Sequence, residues 1–151
     1  MTQKTDKFWQ EFLVETNRQS DTVYYEAFYF GSNEQSANEL LELVLKGRKK
    51  ATASSVQAYA LANEPFPEIG ELSIVTDWQG NPYCVIQTTN VTRMAFKDMT
   101  YDMCKREGED KNLASWQKNH ISFFKDEGSR VGYEFSWDME IIFEDFEVIY
   151  Q

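Results

Sequence analysis

The stretch from Leu72 to Val91 constrains the fold of this chain more than any other. Two segments rich in β-branched and aromatic residues, Leu72 to Val75 and Tyr83 to Val91, flank the connection Trp78-Gln79-Gly80-Asn81-Pro82. Two such segments joined by a short glycine-containing connection are typical of a β-hairpin. The sequence therefore predicts a sheet with an antiparallel pair near the middle of the chain.

Helical and extended patterns alternate on both sides of this hairpin. The clearest helix is Asn38 to Lys46, where four aliphatic side chains share one face, Gly47 follows as a C-terminal cap, and Asn33 or Ser32 precedes as an N-terminal cap. The other predicted helices are Lys7 to Asn17, Ser54 to Ala62, Thr100 to Arg106 and Leu113 to Lys125, and the other predicted strands are Val23 to Phe30, Arg48 to Ser54 and Met139 to Tyr150. This order predicts an α+β fold with a mixed or antiparallel sheet.

The length predicts one domain. A chain of 151 residues has the usual size of a single domain, so we expect one domain over residues 1–151, with an N-terminal helix in residues 1–20 packed on or beside the sheet. The longest apolar run is far shorter than the roughly 18 residues that a membrane span requires, and no secretion signal is visible. We therefore predict a cytoplasmic protein with no membrane partner.

Few residues suggest a metal site. Cys84 and Cys104 lack the spacing of metal ligands, and the acidic group Glu107, Glu109 and Asp110 has no histidine near it in sequence. We predict neither a metal nor another cofactor.

A basic segment stands out in an acidic chain. The 25 acidic and 15 basic residues give a net charge of −10, which opposes binding to duplex DNA. Four of the five residues in Lys46-Gly47-Arg48-Lys49-Lys50 are nevertheless cationic. Such a run after a helix C-terminus is usually a solvated surface that complements the helix dipole, so it predicts a ligand site only with further support.

That support comes from a resemblance that covers nearly the whole chain. The order and spacing of several stretches resemble the ASCH superfamily, whose fold is PUA-like, and within it the longer group once catalogued as a domain of unknown function. The stretches are Phe8 to Phe12, Tyr25 to Gly31, Ser36 to Leu41, Gly47 to Ala53, Gly70 to Val75, Gly80 to Thr89, Glu107 to Asp110, Leu113 to Phe124 and Phe143 to Tyr150.

The resemblance implies a fold and a class of function. It implies a PUA-like mixed or antiparallel β-barrel flanked by helices, with a cleft for RNA or a small nucleoside or nucleotide. The family motif Gly-x-Lys-x-x-Thr falls on Gly47, Lys49 and Thr52. Some members are amidohydrolases of acetylated cytidine or ribonucleases, and in the amidohydrolase branch a glutamate joins the lysine and threonine. That glutamate corresponds here to Glu107, where Cys104 replaces a small alanine.

The motif supports two chemistries. For hydrolysis, Thr52 would act as the nucleophile, a neutral Lys49 would accept its proton, and Glu107 would orient the lysine or relay the proton. Alternatively, Lys49 stays charged and binds a phosphate or stabilises developing negative charge. Strand alternation places Lys49 and Thr52 on opposite faces, so a shared site requires a local bend.

Further residues are candidates for ligand contacts. Arg48 and Lys50 flank the motif lysine, and Phe30 with Gly31 could line a pocket, although packing and a turn explain this pair equally well. Trp116 and His120 lie on one face of a predicted helix, where core packing is the more frequent role but base stacking and proton transfer are open alternatives.

A third hypothesis is a protein-interaction module. Phe8, Trp9 and Phe12 would then dock a partner or a second copy in a homodimer, although they would equally serve to cover the sheet.

Overall fold

The computed structural model describes residues 3–151 as five α-helices, five β-strands and two short 3₁₀ turns. The helices are α1 (Gln3–Glu15), α2 (Glu34–Leu45), α3 (Val56–Ala62), α4 (Tyr101–Cys104) and α5 (Leu113–Val131). The strands are β1 (Ala27–Phe28), β2 (Ala51–Ser55), β3 (Leu72–Thr76), β4 (Pro82–Ala95) and β5 (Glu140–Tyr150), and the 3₁₀ turns are Phe96–Asp98 and Lys105–Glu107.

The strands form one mixed sheet. Its order is β1-β3-β4-β5-β2, with β1 parallel to β3, β3 antiparallel to β4, and β2 antiparallel to β5. The hairpin and the α+β class are therefore confirmed. The barrel is not: the sheet of the described residues is not closed, and its first strand contains only two residues, too few for a closing ladder.

The chain divides into two compact units. The first combines the described part of Met1–Arg48 with Ile69–Thr89 and Phe146–Gln151, and the second combines Lys49–Glu68 with Asn90–Asp145. Each unit has its own apolar core. The single domain that the length predicts stays a prediction.

The N-terminal helix packs on strands of the first unit. Trp9, Phe12 and Leu13 are buried against Leu72 and Ile74 of β3. The helix spans Gln3–Glu15, and its buried face packs against β3. Because Trp9 and Phe12 are core residues, they form no exposed docking face.

The turn before α2 gives Phe30 and Gly31 structural roles. Phe30 is buried and stacks on Phe146, with ring centroids 5.8 Å apart. Asn33 caps α2: its side chain accepts from the Ser36 N–H, and the Ser36 hydroxyl completes a capping box. Gly31 has a φ of +84°, and a Cβ there would collide with Ser36 Oγ.

We expect Gly31→Ala to destabilise the protein more than Gly47→Ala. Both glycines have a positive φ, which costs an alanine about 1–2 kcal/mol, but a Cβ at Gly47 would meet nothing within 4 Å. Only the first substitution also disturbs the capping box. Urea denaturation measures both free energies of unfolding, and equal losses would contradict this account.

Candidate functional site

The motif segment begins where α2 ends. Gly47 adopts a φ of +76° after the helix, so the chain leaves α2 and becomes extended before β2. The Lys50 N–H donates to the Arg106 carbonyl oxygen at 2.8 Å, which ties this segment to the 3₁₀ turn Lys105–Glu107. The backbone thus brings Lys49 and Lys50 next to the turn that carries Glu107.

Lys49 is buried within that junction. It is 2% exposed, and its Nζ donates to the Ala51 carbonyl oxygen at 2.9 Å and to Glu109 Oε2 at 2.6 Å. Glu107 Oε1 lies 3.6 Å from the same nitrogen. Two carboxylates therefore lie within ion-pairing distance of the Lys49 side chain.

Glu107 is as buried as Lys49 and accepts a hydrogen bond from helix α5. It is 2% exposed, Trp116 Nε1–H donates to its Oε2 at 2.5 Å, and His120 Nε2 lies 3.3 Å from its Oε1. Gly108 follows with a φ of +75° and turns the chain, so that Glu109 reaches Lys49 as well. We call Lys49, Glu107, Glu109 and His120 the buried charge cluster.

One face of α5 supplies the other side of this cluster. Asn112 caps the helix by accepting from the Ser115 N–H. Trp116 and His120, one turn apart, stack with ring centroids 4.2 Å apart and an interplanar angle of 19°. Trp116 also stacks on Phe96. The predicted face is confirmed.

The contacts of His120 fix its charge. Nδ1 lies 2.9 Å from the Trp116 carbonyl oxygen and Nε2 faces the Glu107 carboxylate, so both ring nitrogens face acceptors and both must donate. Burial would lower the pKa of His120, but the hydrogen bond and charge of Glu107 outweigh it and raise the pKa above its usual 6.5. These contacts therefore favour the imidazolium form of His120 in the folded protein.

Glu107 is ionised for the reciprocal reason. Burial would raise the pKa of its carboxyl, yet the hydrogen bond from His120, the charge of Lys49 and the bond from Trp116 together hold the pKa below its usual 4.5. The cluster then contains two cations and two anions.

Two members of the cluster reach solvent. The Glu109 side chain is 26% exposed and that of His120 12%, whereas Lys49 and Glu107 are closed off. Nearby in the same loop, Asp110 accepts from Ser115 and Asn119.

A second ion pair lies next to the cluster, because Arg106 belongs to the same 3₁₀ turn as Glu107. Arg106 pairs with Asp145 of β5, with Nε and Oδ1 2.7 Å apart, and lies over the Phe143 ring.

The structure unites some predicted site residues and not others. Lys49, Glu107, Trp116 and His120 converge. Thr52 does not join them: it pairs with Glu144 in the β2–β5 ladder, and its hydroxyl takes no part in the hydrogen bonds of the cluster. Since Ala51 is buried, alternation along β2 directs Thr52 to the other face.

The remaining predicted contact residues have other surroundings. Lys50 and Arg48 are exposed, the latter in the first unit. Trp116 is fully buried, which leaves no ring face for a ligand base and corrects the stacking role. Phe30 and Gly31 are explained by core packing and by the turn before α2, so the pocket-lining role is not supported.

Sequence reasoning missed Glu109 as a partner of Lys49. The signal was present in Glu107-Gly108-Glu109, because a glycine in the left-handed region lets two carboxylates converge on one point.

Among residues 3–151 no group of three or more histidine, cysteine or acidic side chains is arranged to hold a metal ion. None of the described helices is long and apolar enough to span a bilayer.

The mixed sheet, its flanking helices and the Gly-x-Lys-x-x-Thr segment define a PUA-like α+β protein. The family model of the ASCH domain matches residues 26–150, and the chain belongs to this family. No curated protein matches the chain significantly.

Solved structures agree with the family. The ASCH domain from Lactobacillus crispatus JV V101 is 32% identical, with a TM-score of 0.90 and coverage of 100% of this chain and 97% of that one. Protein EF3133 from Enterococcus faecalis V583, of the family model DUF984, is 32% identical, with a TM-score of 0.92 and coverage of 99% and 90%. Hypothetical protein PH0355 is 16% identical with a TM-score of 0.52 over 82% of this chain and 98% of that one, and shares the fold alone.

We expect Glu107→Gln to lower the free energy of unfolding by about 3–5 kcal/mol, because it leaves two buried cations with one carboxylate. The pKa of His120 should fall at the same time, since its charged partner is lost. Denaturation and an NMR titration of the imidazole measure the two effects. Asp110→Asn is the matched control, with an expected loss of about 1 kcal/mol or less. Similar losses for both variants would argue against the cluster.

Stability should depend on the charge of His120. Because the pKa of His120 is higher in the folded protein than in the unfolded chain, protonation of His120 stabilises the fold fully at pH values below the usual pKa of 6.5. This contribution is lost as the pH rises through the pKa of the folded protein. Burial raises the pKa of Cys104 to about 11 and of Cys84 to about 12, so thiol ionisation in the unfolded chain adds a further loss only near pH 9. We therefore expect the free energy of unfolding to decrease as the pH rises above about 6.5.

The variant His120→Phe tests the origin of this slope. It keeps a ring against Trp116 but removes the titrating group. Denaturation across the same pH range should show a flatter profile for the variant, and an unchanged slope would assign the effect to another group.

Proposed function

We propose that this ASCH domain binds RNA or a small nucleoside or nucleotide at the surface next to the buried charge cluster. The observation that carries the proposal is the burial of the Lys49–Glu107 pair beside two less buried ionisable groups, His120 and Glu109. Burying a charge costs several kcal/mol per ion after relaxation, and apolar side chains of similar volume would often be as stable. Ionisable groups with perturbed pKa values and specific charge partners are concentrated at functional sites, which supports a functional role for this cluster.

The surroundings favour a small or single-stranded ligand. The net charge of −10 repels extended duplexes. The exposed Lys50 provides a local cation for a phosphate beside the cluster. The resemblance supports the same ligand class, since ASCH members are thought to bind RNA or nucleotides.

Hydrolysis is the less favoured alternative. An amidohydrolase or ribonuclease mechanism with Lys49 as base requires a neutral amine next to Thr52. Here the amine is paired with Glu107 and Glu109, and Thr52 lies outside the cluster's hydrogen bonds. If acylated cytidine or RNA were cleaved, and Thr52→Ala abolished cleavage, this preference would be reversed.

We expect labelled single-stranded RNA to bind at low salt and Lys50→Ala to weaken this binding. The same substitution should lower the magnitude of the slope of the logarithm of the binding constant against the logarithm of the salt concentration by about 1. Fluorescence anisotropy across a salt series measures both. Lys97→Ala is the control, because Lys97 is also exposed but pairs with Asp138. Cytidine and its 5′-monophosphate, titrated by calorimetry, test the small-ligand case. Absence of binding to RNA and to both small ligands would refute the proposal.

A further inference from the structure

Glu109 covers Lys49 on the side that faces solvent. Its Oε2 lies 2.6 Å from Lys49 Nζ, and its side chain is 26% exposed, whereas the side chains of Lys49 and Glu107 are 1% and 2% exposed. A molecule that arrives from solvent therefore meets Glu109 before it meets the ammonium.

The two carboxylates next to Lys49 are held very differently. Glu107 has Lys49, Trp116 and His120 around it, whereas the only polar contact of the Glu109 carboxylate within residues 3–151 is Lys49. Rotating Glu109 into solvent would break one charge-assisted hydrogen bond. Lys49 would keep the Ala51 carbonyl oxygen and the charge of Glu107.

The charges of the cluster define what could replace Glu109. With His120 protonated, Lys49 and His120 contribute two positive charges and Glu107 one negative charge, so these three residues carry one net positive charge. Glu109 neutralises it. Asp110 cannot take over without giving up its bonds from Ser115 and Asn119. A group with one negative charge and an oxygen acceptor matches the vacated position, as a phosphodiester does.

We propose that the Glu109 carboxylate stands in for an anionic ligand group, and that a phosphate of RNA or of a nucleotide displaces it and accepts the hydrogen bond from Lys49. The inference rests on the proposed function, names the ligand group at that site, and makes Glu109 an intramolecular competitor. An exposed carboxylate thereby keeps a buried cation neutralised until a phosphate arrives.

The test compares Glu109→Gln with wild-type protein and with Asp110→Asn. The probes are cytidine, cytidine 5′-monophosphate and a short single-stranded RNA, titrated by calorimetry at constant salt. Glu109→Gln removes the competing charge at Lys49 and keeps the side chain's size, whereas Asp110→Asn removes a charge from the same loop without touching Lys49. The two phosphate probes distinguish a nucleotide from an RNA ligand.

We expect Glu109→Gln to bind the phosphate-bearing probes about tenfold more tightly than wild type, the scale of one charge-assisted hydrogen bond. Affinity for cytidine should not change, and Asp110→Asn should improve phosphate binding by about twofold at most. In NMR spectra of the wild type, the Glu109 carboxyl signal should move toward that of a solvated glutamate when a phosphate probe is added.

Several results would overturn the inference. If wild-type protein binds the phosphate probes but Glu109→Gln binds them equally or less well, Glu109 is not a competitor. An equal gain for Asp110→Asn would reduce the effect to long-range charge, and an equal gain for cytidine would make Glu109 only a steric cover. If neither wild type nor Glu109→Gln binds any probe, the proposed function itself fails as well.

Discussion

The contact between the Lys49 ammonium and the Glu107 carboxylate is the interaction on which the second unit depends. Removing both charges from water costs several kcal/mol per ion, and their mutual attraction offsets this only if further hydrogen bonds satisfy both groups. Those bonds come from the Ala51 carbonyl, Trp116, His120 and Glu109. The start of β2, the 3₁₀ turn and α5 must all be correctly placed for the pair to be tolerated.

Local patterns explain what the sequence could predict. The leucine-rich face of α2, its Asn33 cap and Gly47 lie within one short stretch of sequence, and helical periodicity with cap chemistry determines them locally. The same applies to the hairpin of β3 and β4 and to the face of α5 that carries Trp116 and His120. The alternation along β2 correctly separated Thr52 from the buried face.

Contacts distant in sequence explain what could not be predicted. Lys49 and Glu109 are 60 positions apart, and the burial of Glu107 depends on α5 packing above a loop that reads as an acidic, solvated turn. No periodicity encodes such a pairing. The resemblance alone implied a closed barrel, and the barrel is not confirmed. The sequence predicts a strand over Val23 to Phe30, but only Ala27 and Phe28 of this segment pair with β3.

The cluster differs from the other ion pairs of the unit in a way that bears on function. Arg93–Glu140 and Lys97–Asp138 join exposed side chains, where a pair adds little and costs little. The cluster instead lies beside a core that already contains Phe96, Trp116 and Phe124, to which apolar residues could have been added without burying a charge. The exposed fraction of the side chain rises from Lys49 through His120 to Glu109. A purely structural pair has no need of such a gradient, whereas a binding site requires one end of its charged groups to be reachable from solvent.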